Sequence, residues 1–336
     1  MHIPDNCLSP ATCAVMAIAM VPAWTVSVQK VSKDLPKEKV PLLGIGAAFS
    51  FLLMMLNVPV PGGTTAHAVG GTLLAVLLGP SAACLAISTA LLIQALVFGD
   101  GGILSFGANC FNMAFVLPCL GYFIYKFAKD RVKTKRGEYI GLAIASYLAI
   151  NFAALCDAIE FGLQPLLARD AAGLPLFCPY PLAISIPAML IPHLTLAGLA
   201  EAAFTVAIVA FVTRASPGAI YVGSPAKTKP LYALIVALVA ASPLGLIAAG
   251  SAWGEWGPDE IKDVVNGGKA LGFVPAGMEK GFHYAAPMQD YGLKGVPEIA
   301  GYIMSAILGV AVFIIVYKLL SFLRKGGKDD GVKAGA

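Results

Sequence analysis

Charge is what this sequence has least of. Of its 336 residues only 12% are Asp, Glu, Lys or Arg, where an ordinary soluble domain carries about 25%. With 58% hydrophobic residues and a mean hydropathy of +0.80, the deficit excludes a soluble globular chain and points to an integral membrane protein. No G-x-x-x-x-G-K-[ST] loop occurs, so the chain cannot bind and hydrolyse ATP through a P-loop by itself. H-E-x-x-H and G-x-S-x-G are absent too, which argues against a membrane protease or esterase. There is no C-x-x-C pair; the seven cysteines mostly lie in apolar runs, where cysteine acts as a small hydrophobe. Their odd count gives no disulfide framework, although a Cys7–Cys178 pairing stays open. No basic residue precedes the first apolar run, so no cleavable signal peptide is read and Met1 is expected to persist.

What is present is a series of apolar runs, several of them near or above the ~20 residues that a bilayer-spanning helix needs. An all-α bundle is predicted, with spans at roughly 9–29, 41–58, 68–79, 81–98, 106–127, 139–158, 184–212, 231–250 and 298–320. The third is too short to cross alone and is expected to be buried or broken near Gly79-Pro80. Basic residues concentrate in four stretches: Lys30–Lys39, Lys126–Arg136, Arg214–Lys229 and Lys318–Lys333. The positive-inside rule assigns these to the cytoplasm, and the N-terminus and the alternate loops to the outside. Residues 214–230, rich in Pro, Gly, Ser and basic side chains, read as a linker between a seven-span core (1–213) and a two-span appendage (231–325). The appendage holds the longest loop, 250–297, with Trp253, Glu255 and Trp256; the tail 326–336 is expected to be disordered.

The chemistry concentrates at the first residues, Met1-His2-Ile3-Pro4-Asp5. A free Met1 amine, the main-chain nitrogen of His2 and its imidazole close a five-membered and then a six-membered chelate ring around one ion. The amide binds only after losing its proton, which tetragonal Ni²⁺, Co²⁺ or Cu²⁺ promotes and Zn²⁺ does much less well. Pro4 and Asp5 stiffen the exit from the chelate. The fourth planar position needs another donor, and His67, predicted at the outer end of a helix on the same side, can supply it. Asp100, Asn109 and Asn112 in FGDGGILSFGANCFNM are candidates to orient these ligands, with interhelical polar packing as the alternative. His193 and Glu201 lie within an apolar span, where polar groups are functional candidates. His283, in the long loop with Met278 and Met288, is a weaker candidate for transient capture. Binding at the chelate is expected to displace protons from the amine, the amide and the imidazoles.

Together, MHIPD, HAVGG…LLGP (67–80), FGDGG…GANCFNM (98–113) and GLAEAAFT (198–205) resemble the CbiM/NikM family, the substrate-specific subunits of energy-coupling-factor transporters for cobalt and nickel. The resemblance covers about residues 1–213. It implies a metal held in a plane by nitrogens of Met1, His2 and His67, a CbiQ/NikQ-like coupling subunit, two CbiO/NikO-like P-loop ATPases, and no permanent cofactor beyond transported Ni²⁺ or Co²⁺. It also implies a bacterial or archaeal cytoplasmic membrane and no nucleic-acid partner. The family usually has glycine where Asn6 stands, and Cys7 is uncommon there. The appendage resembles the part of fused NikMN-type proteins that replaces a separate NikN or CbiN subunit. Small residues on the first helix, such as Ala11, Ala14 and Ala17, could meet the coupling subunit. Two rivals remain: a metal/proton antiporter using Asp157, Glu160 and Glu201, and a metal-dependent membrane enzyme.

Overall fold

The computed structural model describes every residue except 37–39, 61–63, 220–226, 249–250, 267 and 327–336. Expectations for the tail beyond residue 326 and for much of the 214–230 linker therefore fall outside the described residues. The principal helices are α1 (Pro10–Asp34), α2 (Val40–Met54), α3 (Gly71–Leu78), α4 (Pro80–Phe98) and α5 (Phe106–Lys129). They are followed by α6 (Lys135–Leu167), α7 (Leu182–Ala215), α8 (Thr228–Ile247) and α9 (Glu298–Gly326). Seven are long and apolar enough to cross a membrane; α2 and α3 are shorter. All eight residues of α3 are buried, and it stops at Gly79, whose φ of 90° breaks it from α4.

Helix ends follow local chemistry. Ser9 starts α1 by accepting the Thr12 N–H at 3.3 Å, with Pro10 in the first turn where its missing N–H is harmless. Helix α6 runs on to Leu167, past the predicted end at 158, because Glu160 and Gln164 fall on its buried face, where hydropathy alone does not see a helix continuing. Helix α2 stops at Met54 rather than 58. The chain instead pairs Val58–Val60 (β1) with Thr64–Ala66 (β2) in an antiparallel hairpin. This corrects the expected setting of His67: it follows β2 in a loop, three residues before Gly70 (φ 75°) admits the chain to α3. Three π-helical turns interrupt the bundle, at Gln94–Phe98, Cys110–Val116 and His193–Ala197, and they carry the buried polar residues Gln94, Asn112 and His193.

Helix α2 lies at the centre, buried along almost its whole length. The appendage's α9 packs directly on it: a Cβ on Gly44 would lie 3.0 Å from the Phe313 carbonyl oxygen, and Gly309 lies against the Phe51 ring. Tyr302 donates to Met55 O at 2.7 Å, and the Tyr317 and Thr89 hydroxyls are 2.9 Å apart. Core and appendage thus share one apolar interior. By contrast α1 is peripheral, with only 17% of its most apolar membrane-length window buried, so most of its surface is free for lipid or a partner helix.

Candidate metal site

The N-terminal arm folds back into one end of the bundle, and Met1, His2 and Ile3 are all buried. Its path is fixed by the loop before α5 and by the first turn of α5. Asn109 accepts the Ile3 N–H at 2.8 Å and returns its own amide to Ile3 O at 3.0 Å; Ser105 Oγ and Gly102 N–H donate to the same oxygen at 2.5 and 2.9 Å. Asp5 accepts the main-chain N–H groups of Ile103 and Leu104 at 3.0 and 2.7 Å. The next residue, Asn6, takes φ 66°, a left-handed conformation that favours glycine and that asparagine tolerates.

The arm delivers His2 to His67. His2 Nδ1 stands 3.2 Å from His67 Nε2 and 3.2 Å from Asp100 Oδ1, and the ring centroids are 5.0 Å apart. His67 Nδ1 lies 3.2 Å from Ala68 O. A carbonyl only accepts, so Nδ1 carries the hydrogen and Nε2 points a lone pair at His2. On the far side of His2, Nε2 is buried without a partner, as is Oε1 of Gln94, whose amide interacts with the ring. His2 Nδ1 and the His67 Nε2 lone pair thus face each other beside Asp100, an arrangement that a cation between the two nitrogens would complete.

Electrostatics favour neutral ligands. Burial, reinforced by the Met1 amine, lowers the His2 pKa to about 3, and burial with the same amine and His2 holds His67 well below the ordinary range. Both imidazoles are therefore held toward the neutral form, the form that binds a metal. Burial raises Asp100, against hydrogen bonds from Tyr291 and Gln94 that favour its charge. Gln94 Nε2 donates to Asp100 at 3.0 Å and to the Tyr291 hydroxyl at 2.9 Å, while Tyr291 donates to Asp100. From the appendage, Glu255 comes within 3.9 Å of the Met1 amine. A cavity of about 620 Å³ lies against the cluster, lined among others by His2, His67, Asp100, Glu255, Tyr291 and Glu298.

Other candidates lie elsewhere. Asn112 is not beside the histidines; it donates to Glu160 at 3.0 Å inside the bundle. Glu201 accepts the N–H groups of Val69 and Gly70 at 2.8 and 2.9 Å, so it fixes the loop that carries His67. His193 lies in α7 and donates from Nδ1 to Met189 O at 2.7 Å. His283 is exposed, with Nε2 3.4 Å from Glu279 O, while Met278 and Met288 are buried. Cys7 and Cys178 are free thiols joined only through main chain, Cys178 N–H to Cys7 O at 3.0 Å. Among the described residues no three His, Cys, Asp or Glu side chains form a metal-holding group; the donor set here depends on main-chain nitrogens. Sequence reading missed Gln94, Glu255 as a neighbour of Met1, and Tyr291. A lone glutamine in an apolar run was the available signal for the first, and nothing distinguishes Tyr291 from other loop tyrosines.

Comparison with known proteins adds a separate line. Residues 2–219 match CbiM, the cobalt uptake substrate-specific transmembrane region, and residues 227–326 match the PDGLE domain. A probable fused nickel transport protein LarMN of Lactiplantibacillus plantarum is 51% identical, covering 95% of this chain and 97% of its own length. The fused nickel transport protein NikMN of Rhodobacter capsulatus is 47% identical over 96% and 98%. A crystal structure of a truncated transition metal transporter superposes with a TM-score of 0.60 at 54% identity, covering 63% of this chain and 98% of that one.

Proposed function

We propose a function from one premise: the chain belongs to the CbiM family of cobalt uptake substrate-specific transmembrane proteins. It is an integral membrane protein of the nickel and cobalt transport class, not an enzyme. Our reading is that it is the substrate-binding subunit of an energy-coupling-factor importer for Ni²⁺ or Co²⁺. It takes the ion from the outside into a plane of four nitrogens: the Met1 amine, the His2 main-chain nitrogen, His2 Nδ1 and His67 Nε2. Asp100, Gln94 and Asn109 orient those donors, Asp100 and Gln94 at the His2 ring and Asn109 at the backbone of Ile3. Residues 1–213 form the metal-binding core, and residues 231–325 stand in for a separate NikN- or CbiN-like subunit. Energy comes from a CbiQ/NikQ-like coupling subunit and two CbiO/NikO-like ATPases, in a bacterial or archaeal cytoplasmic membrane with the N-terminus outside.

The observation that carries this reading is the 3.2 Å approach of His2 Nδ1 to His67 Nε2. Two nitrogens bound side by side at about 2.0 Å from one ion stand about 2.9 Å apart, so the pair is nearly set for a shared metal. Nδ1 is also the ring nitrogen that a six-membered chelate with the His2 amide requires. The test is equilibrium binding of Ni²⁺ and Co²⁺ to protein with its native N-terminus, to a form extended by one residue, and to His67→Ala. Both variants should lose tight binding; an extended form that binds like the native one overturns the chelate. Uptake in cells should stop when the ATPase subunits are deleted, whereas persistent uptake supports the antiporter.

A further inference from the structure

The loop of the appendage contains Trp253-Gly254-Glu255-Trp256, two indoles around a glycine and a carboxylate. The indoles anchor it. Trp253 stacks edge-on against Phe161 of α6 with centroids 5.7 Å apart, and both tryptophans contact Tyr180, at 5.7 and 5.9 Å, and each other, at 5.6 Å. Gly254 has φ 89°, and a Cβ there would meet the Phe161 ring at 2.9 Å, so the turn presses its backbone onto the core. The Gly254 carbonyl also receives the Cys7 thiol at 3.5 Å. Between these anchors, Glu255 is aimed at the N-terminal arm.

Its contacts are specific. Glu255 Oε1 lies 3.9 Å from the Met1 amine, and Glu255 lines the same cavity as His2, His67 and Asp100. The Met1 amine is the first donor of the proposed chelate, and a side chain from the far end of the sequence reaches it. A second clamp holds the arm one turn further on. Asn6 Nδ2 donates to Phe282 O at 2.8 Å and Asn6 Oδ1 accepts the Phe282 N–H at 2.9 Å, a paired bond between the arm and the same appendage loop.

We infer that Glu255 is a positioning residue of the metal site, holding the Met1 amine in place beside His2 for the incoming divalent cation. Resting on the chelate proposed above, the inference assigns the appendage a direct part in metal capture. A buried amine needs a nearby polar partner, and the Glu255 carboxyl is the acidic group within 3.9 Å of it. The anchoring tryptophans matter because a carboxylate on a loose loop would not hold the amine in register with the other donors.

The test uses the full chain with its native N-terminus in detergent or nanodiscs, comparing wild type, Glu255→Gln, Glu255→Asp and, as a control elsewhere in the loop, Glu279→Gln. The readouts are equilibrium Ni²⁺ affinity, the absorption spectrum of bound Ni²⁺, which distinguishes planar amide-bound nickel from ordinary octahedral nickel, and the thermal midpoint without metal. Glu255→Gln should weaken Ni²⁺ binding about 10- to 100-fold, the range for groups that orient metal ligands, and reduce the planar spectrum. Glu255→Asp should restore part of both, and Glu279→Gln should change neither. If Glu255→Gln and Glu255→Asp bind with wild-type affinity and spectrum, the inference is overturned. If Glu255→Gln lowers the thermal midpoint and affinity together but bound Ni²⁺ keeps the full planar spectrum, the residue is merely structural and the inference again fails. The one-residue N-terminal extension is run alongside: if it binds like wild type, the chelate reading itself is wrong, whereas loss there with normal Glu255 variants removes only the role of Glu255.

Discussion

At the scale of the residue, the site is an arrangement of lone pairs kept free of protons. His2 titrates near 3 and His67 well below its ordinary range because both are buried beside an amine. Metal affinity should fall as pH drops from 8 to 5, because protons compete with the ion for the same nitrogens. Calorimetric Ni²⁺ titrations across that range check this, and a flat profile contradicts an amide-bound ion. The empty protein carries the opposite signature of the same burial. A histidine whose folded pKa lies below its unfolded value gives stability that is present above about pH 6.5 and is lost as pH falls toward the folded value, by about 1.4 kcal/mol per pH unit for each such histidine. His67→Ala should therefore lose less stability than wild type as pH falls from 6.5 to 4, read as the difference between their metal-free melting curves. His2 and His67 were legible in the sequence because a histidine directly after Met1 has few structural uses and chelation demands a partner. Gln94 and Tyr291, 197 positions apart yet 2.9 Å from amide to hydroxyl, were not, because only the closed bundle brings them together.

At the scale of the element, the apolar runs located every principal helix, but the ends and irregularities depend on polar groups that hydropathy averages away. The clearest case is the loop between β2 and α3. Its two N–H groups at Val69 and Gly70 are buried at the start of α3 and would lack partners without the Glu201 carboxylate reaching from α7. The sequence marked Glu201 as a possible ion carrier at membrane depth; the structure has it capping a helix. Glu201→Ala should leave two buried donors unmet, at about 1–3 kcal/mol each, and let His67 drift from His2. The expected outcome is a lower melting temperature together with at least tenfold weaker Ni²⁺ binding, the scale set by groups that orient metal ligands. Glu201→Gln keeps an acceptor oxygen and should be milder in both. Unchanged affinity in Glu201→Ala would mean that His67 is held by its own loop.

At the scale of the whole molecule, the candidate chemistry gathers at one end of the bundle, away from Lys30 of the first basic stretch. Met1, His2, His67, Asp100 and the appendage loop meet in one cluster, whereas Lys30 lies by the α3–α4 break, at the opposite ends of those helices. The one-sided charge map was legible in the sequence, since it needs only a count of lysines and arginines between apolar runs. The closeness of core and appendage was not: residues 214–230 read as a linker between separate parts, yet α9 lies on α2 through glycines whose role appears only when the partner surface is known. The proposed orientation, with the N-terminus outside, rests on the charges, because basic loops resist translocation. Intact cells expressing His283→Cys or Lys133→Cys, both exposed positions, can be treated with a membrane-impermeant thiol reagent, with the unmutated protein as the blank for its native cysteines. Label should enter at 283 and not at 133 until the cells are opened. The reverse pattern would turn the metal cluster toward the cytoplasm, and an importer loading from that side would have no ion to capture from outside.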